Sequence, residues 1–75
     1  MDIDNLIHMA NRIGEFFAAW PDADEARSGI ADHIHKFWEP RMRRELLVSL
    51  DRDGAPGLKP IVVEALRQYR AQLQA

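Results

Sequence analysis

His8, His33 and His35, Ser28 and Ser49, and twelve carboxylates are the side chains of this sequence that could do chemistry. Their spacing decides what they can do together. His33 and His35 are two positions apart, so on a helix they point about 160° away from each other and cannot share a metal ion. At the three- and four-residue spacings that helical ligand pairs use, His33 meets Gly29, Ile30, Lys36 and Phe37, none of which completes a ligand set. His35 has Asp32 before it and Glu39 after it on one face; with no fourth ligand in view, that face reads as solvated and laced with local ion pairs. A calcium loop needs glycine at its sixth position and a bidentate acid at its twelfth. Counted from Asp22 those positions are Arg27 and His33; counted from Asp24 they are Gly29 and His35, so the acids read as helix caps. Neither serine has a histidine at helical spacing to act as its base, and Gly54 and Gly57 flank a proline with no lysine-serine pair after them, which excludes a phosphate loop.

The most informative cluster is Phe37-Trp38-Glu39-Pro40-Arg41-Met42-Arg43-Arg44. Three arginines fall in the first turn of the helix that Pro40 opens, where the macrodipole is positive, at a cost of about 0.3 to 1 kcal/mol for each exposed cation. Something must compensate. Arg43 projects into the Leu46, Leu47, Leu50 face, and one arrangement lays its stem on the core while its head pairs with Glu39 or an aspartate of the acidic turn. The other makes Trp38, Glu39, Pro40, Arg41, Arg43 and Arg44 an anchor patch for a partner protein, because tryptophan and arginine are enriched at interface hot spots. Met9 and Phe16 widen the apolar arc of the first helix beyond the ~100° that one core face needs. Either a thin four-helix core wraps around this helix and buries it on both sides, or the two residues meet a partner, and on the second reading they join the candidate partner-binding residues. A nucleic-acid-binding module using Arg41, Arg43 and Arg44 is the alternative, although the chain as a whole carries a net charge of −2.

The elements that must position these residues follow from periodicity and punctuation. Ile3, Leu6, Ile7, Ala10, Ile13, Phe17 and Trp20 fall on one side of a helix that Trp20-Pro21 stops. Asp22 caps a second helix, with Glu25 three residues on, whose stripe is Ala23, Ala26, Ile30, Ile34 and Phe37 and whose end is Trp38. Pro40 opens a third helix, and Lys59-Pro60 opens a fourth along which Val62, Ala65, Leu66, Tyr69 and Leu73 line up, after a loop from Asp53 to Gly57. The expected fold is all-α, a single-domain bundle of four short helices over residues 1–75. Hydrophobic residues make up 47% of the chain, enough for a core. Domains of this length gain little from one core and usually add a disulfide, a metal or a partner. Without cysteine, and with no metal-ligand set, a partner is the expected support.

The lack of cysteine also fits a reducing cytoplasm and leaves nothing to hold an iron-sulfur cluster. The opening Asp2-Ile3-Asp4 is acidic where a signal peptide is basic, and no apolar run nears the ~18 residues of a membrane span, so the chain is expected to be neither exported nor inserted. Two layers of short helices are not expected to enclose the ~300 Å³ of a small-molecule site. The residues therefore point to a binding protein without catalytic residues or cofactor of its own.

Three blocks carry a resemblance to a known family: Leu6 to Phe17, Gly29 to Arg43, and Gly57 to Ala65, the middle one with its Trp38-Glu39-Pro40-Arg41-Met42-Arg43 run being the most specific. The sequence resembles the delta subunit of cytoplasmic NAD-dependent, molybdenum-containing formate dehydrogenases. The resemblance implies a non-catalytic accessory subunit that binds the large catalytic subunit and supports assembly, stability or cofactor insertion. It also implies that molybdopterin, iron-sulfur clusters, FMN and NAD belong to the larger chains. A net charge of −2 gives no overall attraction to nucleic acid or to an anionic membrane, so neither is an expected partner. A homodimer of the isolated chain through its surplus apolar surface remains open.

Overall fold

The computed structural model describes residues 2–75, Met1 lying outside them. Its helices are α1 (Ile3–Ala18), α2 (Ala23–Phe37), α3 (Pro40–Asp53), α4 (Pro60–Gln68) and α5 (Arg70–Gln74). The all-α expectation holds, with the fourth foreseen helix divided into α4 and a five-residue α5. Caps and prolines set most boundaries. The Asp2 carboxylate accepts from the Asp4 N–H at 3.0 Å, and that of Asp22 accepts from the N–H groups of Asp24 and Glu25 at 2.8 and 3.1 Å, satisfying donors that a helix start leaves without partners. Pro40 and Pro60 each sit in a first turn, where the missing N–H costs nothing. α3 closes on Gly54 in the left-handed conformation (φ 77°), and Ala55 follows it there (φ 49°). Pro56 and Gly57 (φ 93°) then form a turn closed by the Leu58 N–H on the Ala55 carbonyl at 3.0 Å, the type II pattern of proline followed by a residue at positive φ.

Two ends differ from expectation. α1 stops at Ala18 rather than running to Trp20; the Trp20 N–H donates to the Phe17 carbonyl at 3.0 Å, a tightened last turn that releases the chain before Pro21. The helix expected to run through Tyr69 breaks there (φ −109°, ψ 28°) into α4 and α5. The break lets Leu73 pack in the core while the Tyr69 hydroxyl turns to the Asp24 carboxylate at 3.4 Å.

The core gathers Leu6, Ile7 and Ala10 of α1, Ile30 and Ile34 of α2, Leu46, Leu47 and Leu50 of α3, Val62, Ala65 and Leu66 of α4, and Leu73 of α5. α1 and α2 lie against each other, and α4 packs on both. Gly14 makes one of these approaches possible: a methyl there would fall 2.5 Å from Val62 Cγ2, so the missing side chain is what lets α4 close on α1. Asn11 fastens the same pair, donating to the Gly57 carbonyl at 2.9 Å and accepting from the Lys59 N–H at 2.8 Å. No helix among the described residues is long and apolar enough to cross a membrane.

Candidate functional site

The surface that departs most from an ordinary small helical domain lies between the C-terminal half of α1 and α2. Phe16 is 66% exposed, Phe37 72% and Trp20 42%. Phe16 follows from the helical angle: Ile13 and Phe17 turn toward the core, which leaves Phe16, one step of 100° back, pointing out. Phe17 is held half-buried because α2 carries Gly29 opposite it, and a methyl there would fall 2.4 Å from the Phe17 ring. The rings then support one another. Phe16 meets Phe17 edge-on at 5.0 Å, Trp20 tilts against Phe17 at 5.0 Å, and His33 of α2 lies 4.7 Å from Phe37. These spacings are those of favourable aromatic pairs.

Two open depressions flank the rings. One, of about 440 Å³, is lined by Arg12, Ile13, Phe16, Phe17 and His33. The other, of about 340 Å³, is bordered by Phe16, Phe17, Trp20 and Phe37, with Gly29, Asp32, His33 and Lys36 along α2. Asp32 is paired with Lys36 at 2.9 Å, a local ion pair of the kind its spacing suggests, and that contact holds its carboxyl below the usual carboxylate range. No group of three or more histidine, aspartate or glutamate side chains able to hold a metal occurs among the described residues. The surface can bind by burying aromatic and aliphatic area.

The residues singled out from the sequence separate into three places. Trp38, expected at an exposed anchor patch, is 6% exposed and belongs to the core. As the cap of α2 it is extended (φ −90°, ψ 140°), so the backbone leaves the helical path and swings the indole inward. Phe37, expected on the buried stripe, is the residue left outside, and Trp20, placed on the core face of the first helix, is exposed with it. Arg43 is 7% exposed, and its head does not pair with Glu39 or the acidic turn. It donates to four backbone oxygens instead: Nη1 to His35 at 2.9 Å and Trp38 at 3.2 Å, Nε to Leu73 at 3.2 Å, and Nη2 to Ala75 at 2.9 Å. Those oxygens lie at the ends of α2 and α5, where helices leave carbonyls without partners and the dipole is negative. This is the compensation that a cation in the first turn of α3 calls for, supplied by other helices rather than by an acid.

Glu39, Pro40, Arg41 and Arg44 are exposed at the start of α3. Arg44 borders a separate depression of about 280 Å³ with Leu47, Val48, Asp51, Arg70 and Gln74, which none of the exposed aromatic rings lines. There Asp51 holds Arg70 through two contacts, at 2.9 and 2.6 Å, which lowers the carboxyl and raises the guanidinium relative to their usual values. Met9 is half-buried against the core, its sulfur accepting weakly from the Asn5 amide at 3.7 Å, and Phe16 alone of the two surplus positions is free. Trp20 and Phe37 both match the apolar period, which hides their exposure; the signal available was their place at or just past a helix end, next to a chain reversal.

A family model described as NADH-dependant formate dehydrogenase delta subunit FdsD matches residues 5–66, from α1 into α4. No curated protein and no solved structure matches the chain significantly.

Proposed function

The chain belongs to the NADH-dependent formate dehydrogenase delta-subunit family, and from that premise we propose that it is a non-catalytic accessory subunit that binds the large catalytic subunit and supports its assembly, stability or cofactor insertion. The observation that carries this reading is the exposed ring cluster of Phe16, Trp20 and Phe37 on an otherwise well-packed small domain. Large apolar side chains gathered at one surface mark sites of protein association. The proposed contact centres on Phe16. Glu39, Pro40, Arg41 and Arg44 form a second, polar contact at the start of α3, while Met9, Trp38 and Arg43 act by shaping the helices that present these surfaces. The redox groups of such an enzyme, molybdopterin, iron-sulfur clusters, FMN and NAD, belong in this reading to the larger chains; for the iron-sulfur clusters the chemistry is direct, since a cysteine-free chain offers no thiolates to hold them. A nucleic-acid role loses ground because Arg43 is buried, leaving the basic turn with Arg41 and Arg44 as its exposed cations.

The test is co-purification of a tagged chain from its native cells, with identification and quantitation of the bound chains. Recovery of the catalytic subunit of a formate dehydrogenase in near-equal amounts is the expected result. Recovery of none of its subunits overturns the reading, and trace recovery limited to the cofactor-free enzyme points to maturation rather than permanent membership.

A further inference from the structure

The two depressions beside Phe16 share Phe17 and His33 and are walled by α1 on one side and α2 on the other, so they form one groove between neighbouring helices. Its floor and walls are mostly aromatic or aliphatic, while its rim carries charge of one preferred sign. Lys36 is engaged with Asp32 at 2.9 Å. Arg12 forms no ion pair among the described residues, and Asp32 is the one carboxylate lining the groove. A net positive rim on a chain of net charge −2 is a local feature rather than an overall bias.

This charge pattern separates the occupants. In a two-fold pairing of identical chains the same patch faces itself, and this patch has no uncommitted carboxylate to offer Arg12. Closing such a dimer would set two copies of the same net positive rim against each other with no acid to pair Arg12, which like-charge repulsion disfavours. An occupant that inserts apolar side chains on either side of Phe16 and brings its own carboxylate to Arg12 meets both requirements. We propose that this groove docks a segment of the large catalytic subunit that presents bulky apolar side chains flanked by an acidic residue, the acid pairing with Arg12. The proposal rests on the accessory-subunit reading and adds the chemistry of the partner's complement and the exclusion of a second copy. Phe16 and Phe37 fill the interface, Trp20 closes the end of the groove nearest the α1–α2 turn, and Arg12 sets register through a rim charge.

The experiment measures binding of the purified chain to the catalytic subunit isolated without it, by titration calorimetry at low and high salt. Sedimentation of the free chain and circular dichroism of each variant accompany it. Phe16→Ala and Phe37→Ala are expected to bind about thirtyfold more weakly than the wild type. Arg12→Ala is expected to lose about tenfold and most of the salt dependence, with Arg12→Lys recovering part of the loss. Arg67→Ala, on the exposed side of α4, serves as the control. Because the substituted side chains are exposed or at the rim, helicity should be unchanged. If the wild type binds and the Phe16 and Phe37 variants bind equally well, the groove is not the docking site, although the accessory-subunit reading survives. If Phe16→Ala weakens binding while Arg12→Ala and Arg12→Glu do not, the acidic complement is wrong. A wild-type chain that sediments as a dimer dispersed by Phe16→Ala would assign the groove to a second copy and overturn the proposal. Absence of any wild-type binding removes the reading beneath it.

Discussion

Replacing Arg43 with alanine should bring this protein close to unfolding, a larger effect than any substitution at its exposed arginines. The guanidinium makes hydrogen bonds to the carbonyls of Leu73 and Trp38 within the interior, and to the oxygens of His35 and Ala75 where they are partly covered. Hydrogen bonds that involve a charged group contribute about 1.5 to 3 kcal/mol each in mutational series, but contributions within one network do not add. Truncation leaves at least two buried carbonyls unpartnered, each costing about 1 to 3 kcal/mol, while some of the loss returns as the outer oxygens reach water. The expected net is about 3 to 5 kcal/mol. A domain of this size has about 4 to 11 kcal/mol in all, so the variant keeps a small margin or none. Urea unfolding followed by helical circular dichroism measures it, with Arg43→Lys as a companion. The ammonium can reach fewer of the four oxygens than the planar fork does, so lysine should fall between arginine and alanine. A loss below about 1 kcal/mol for Arg43→Ala would refute the reasoning, because it would mean that these carbonyls find other partners.

Three further expectations follow from the same geometry. Trp38→Ala should destabilise by about 3 to 5 kcal/mol, as for a large aromatic removed from a core, whereas Phe37→Ala next to it should stay within about 0.5 kcal/mol; equal effects in denaturant melts would mean that the inward and outward assignments are wrong. Gly14→Ala places a methyl 2.5 Å from Val62 Cγ2 and should cost about 1 to 3 kcal/mol by overpacking, read as a lowered thermal midpoint, and Val62→Ala in the same chain should restore part of it. Because Arg70 holds the Asp51 carboxyl below its ordinary range and Lys36 does the same for Asp32, both acids bind their proton less readily in the folded chain than in the unfolded one. Their stabilisation is complete above the unfolded carboxylate value of about 4 and is lost as pH falls from there through the depressed folded values. Asp51→Asn should flatten the stability profile in that acidic window and leave the slope near neutrality unchanged, as followed by thermal melts across pH.

Much of the chain's local structure is legible in its one-dimensional pattern because the causes are local. Asp2 and Asp22 cap helices through their own neighbours' N–H groups. Pro21, Pro40 and Pro60 act through the geometry of a single ring, and Gly54 reverses the chain through its own left-handed backbone. The i, i+3 and i+4 stripes that place Leu6, Ile30, Leu46 and Val62 inside need only the helical period, and the family likewise rests on residues in sequence order. The wide apolar arc of α1 singles out Met9 and Phe16, but packing alone decides that Phe16 stays outside while Met9 is half-buried.

The rest was decided by what each helix meets. A helical wheel gives the direction of Phe37 but not whether a facing element extends to its height, and at the end of α2 none covers it, so the ring stays exposed while Trp38 enters the core through an extended cap. Arg43 illustrates the same dependence. Its sequence neighbours made an acid the natural counter-group, yet the oxygens that hold it come from His35, Trp38, Leu73 and Ala75, which are brought together only when α2, α3 and α5 pack. The break at Tyr69 accompanies the placement of Leu73 in the core and of Arg70 on Asp51 of α3, contacts between segments far apart in the chain. Local chemistry determines where this chain turns into and out of helices. Which aromatics become surface and which cation becomes structure depends on long-range packing, because burial and backbone satisfaction are properties of several segments together.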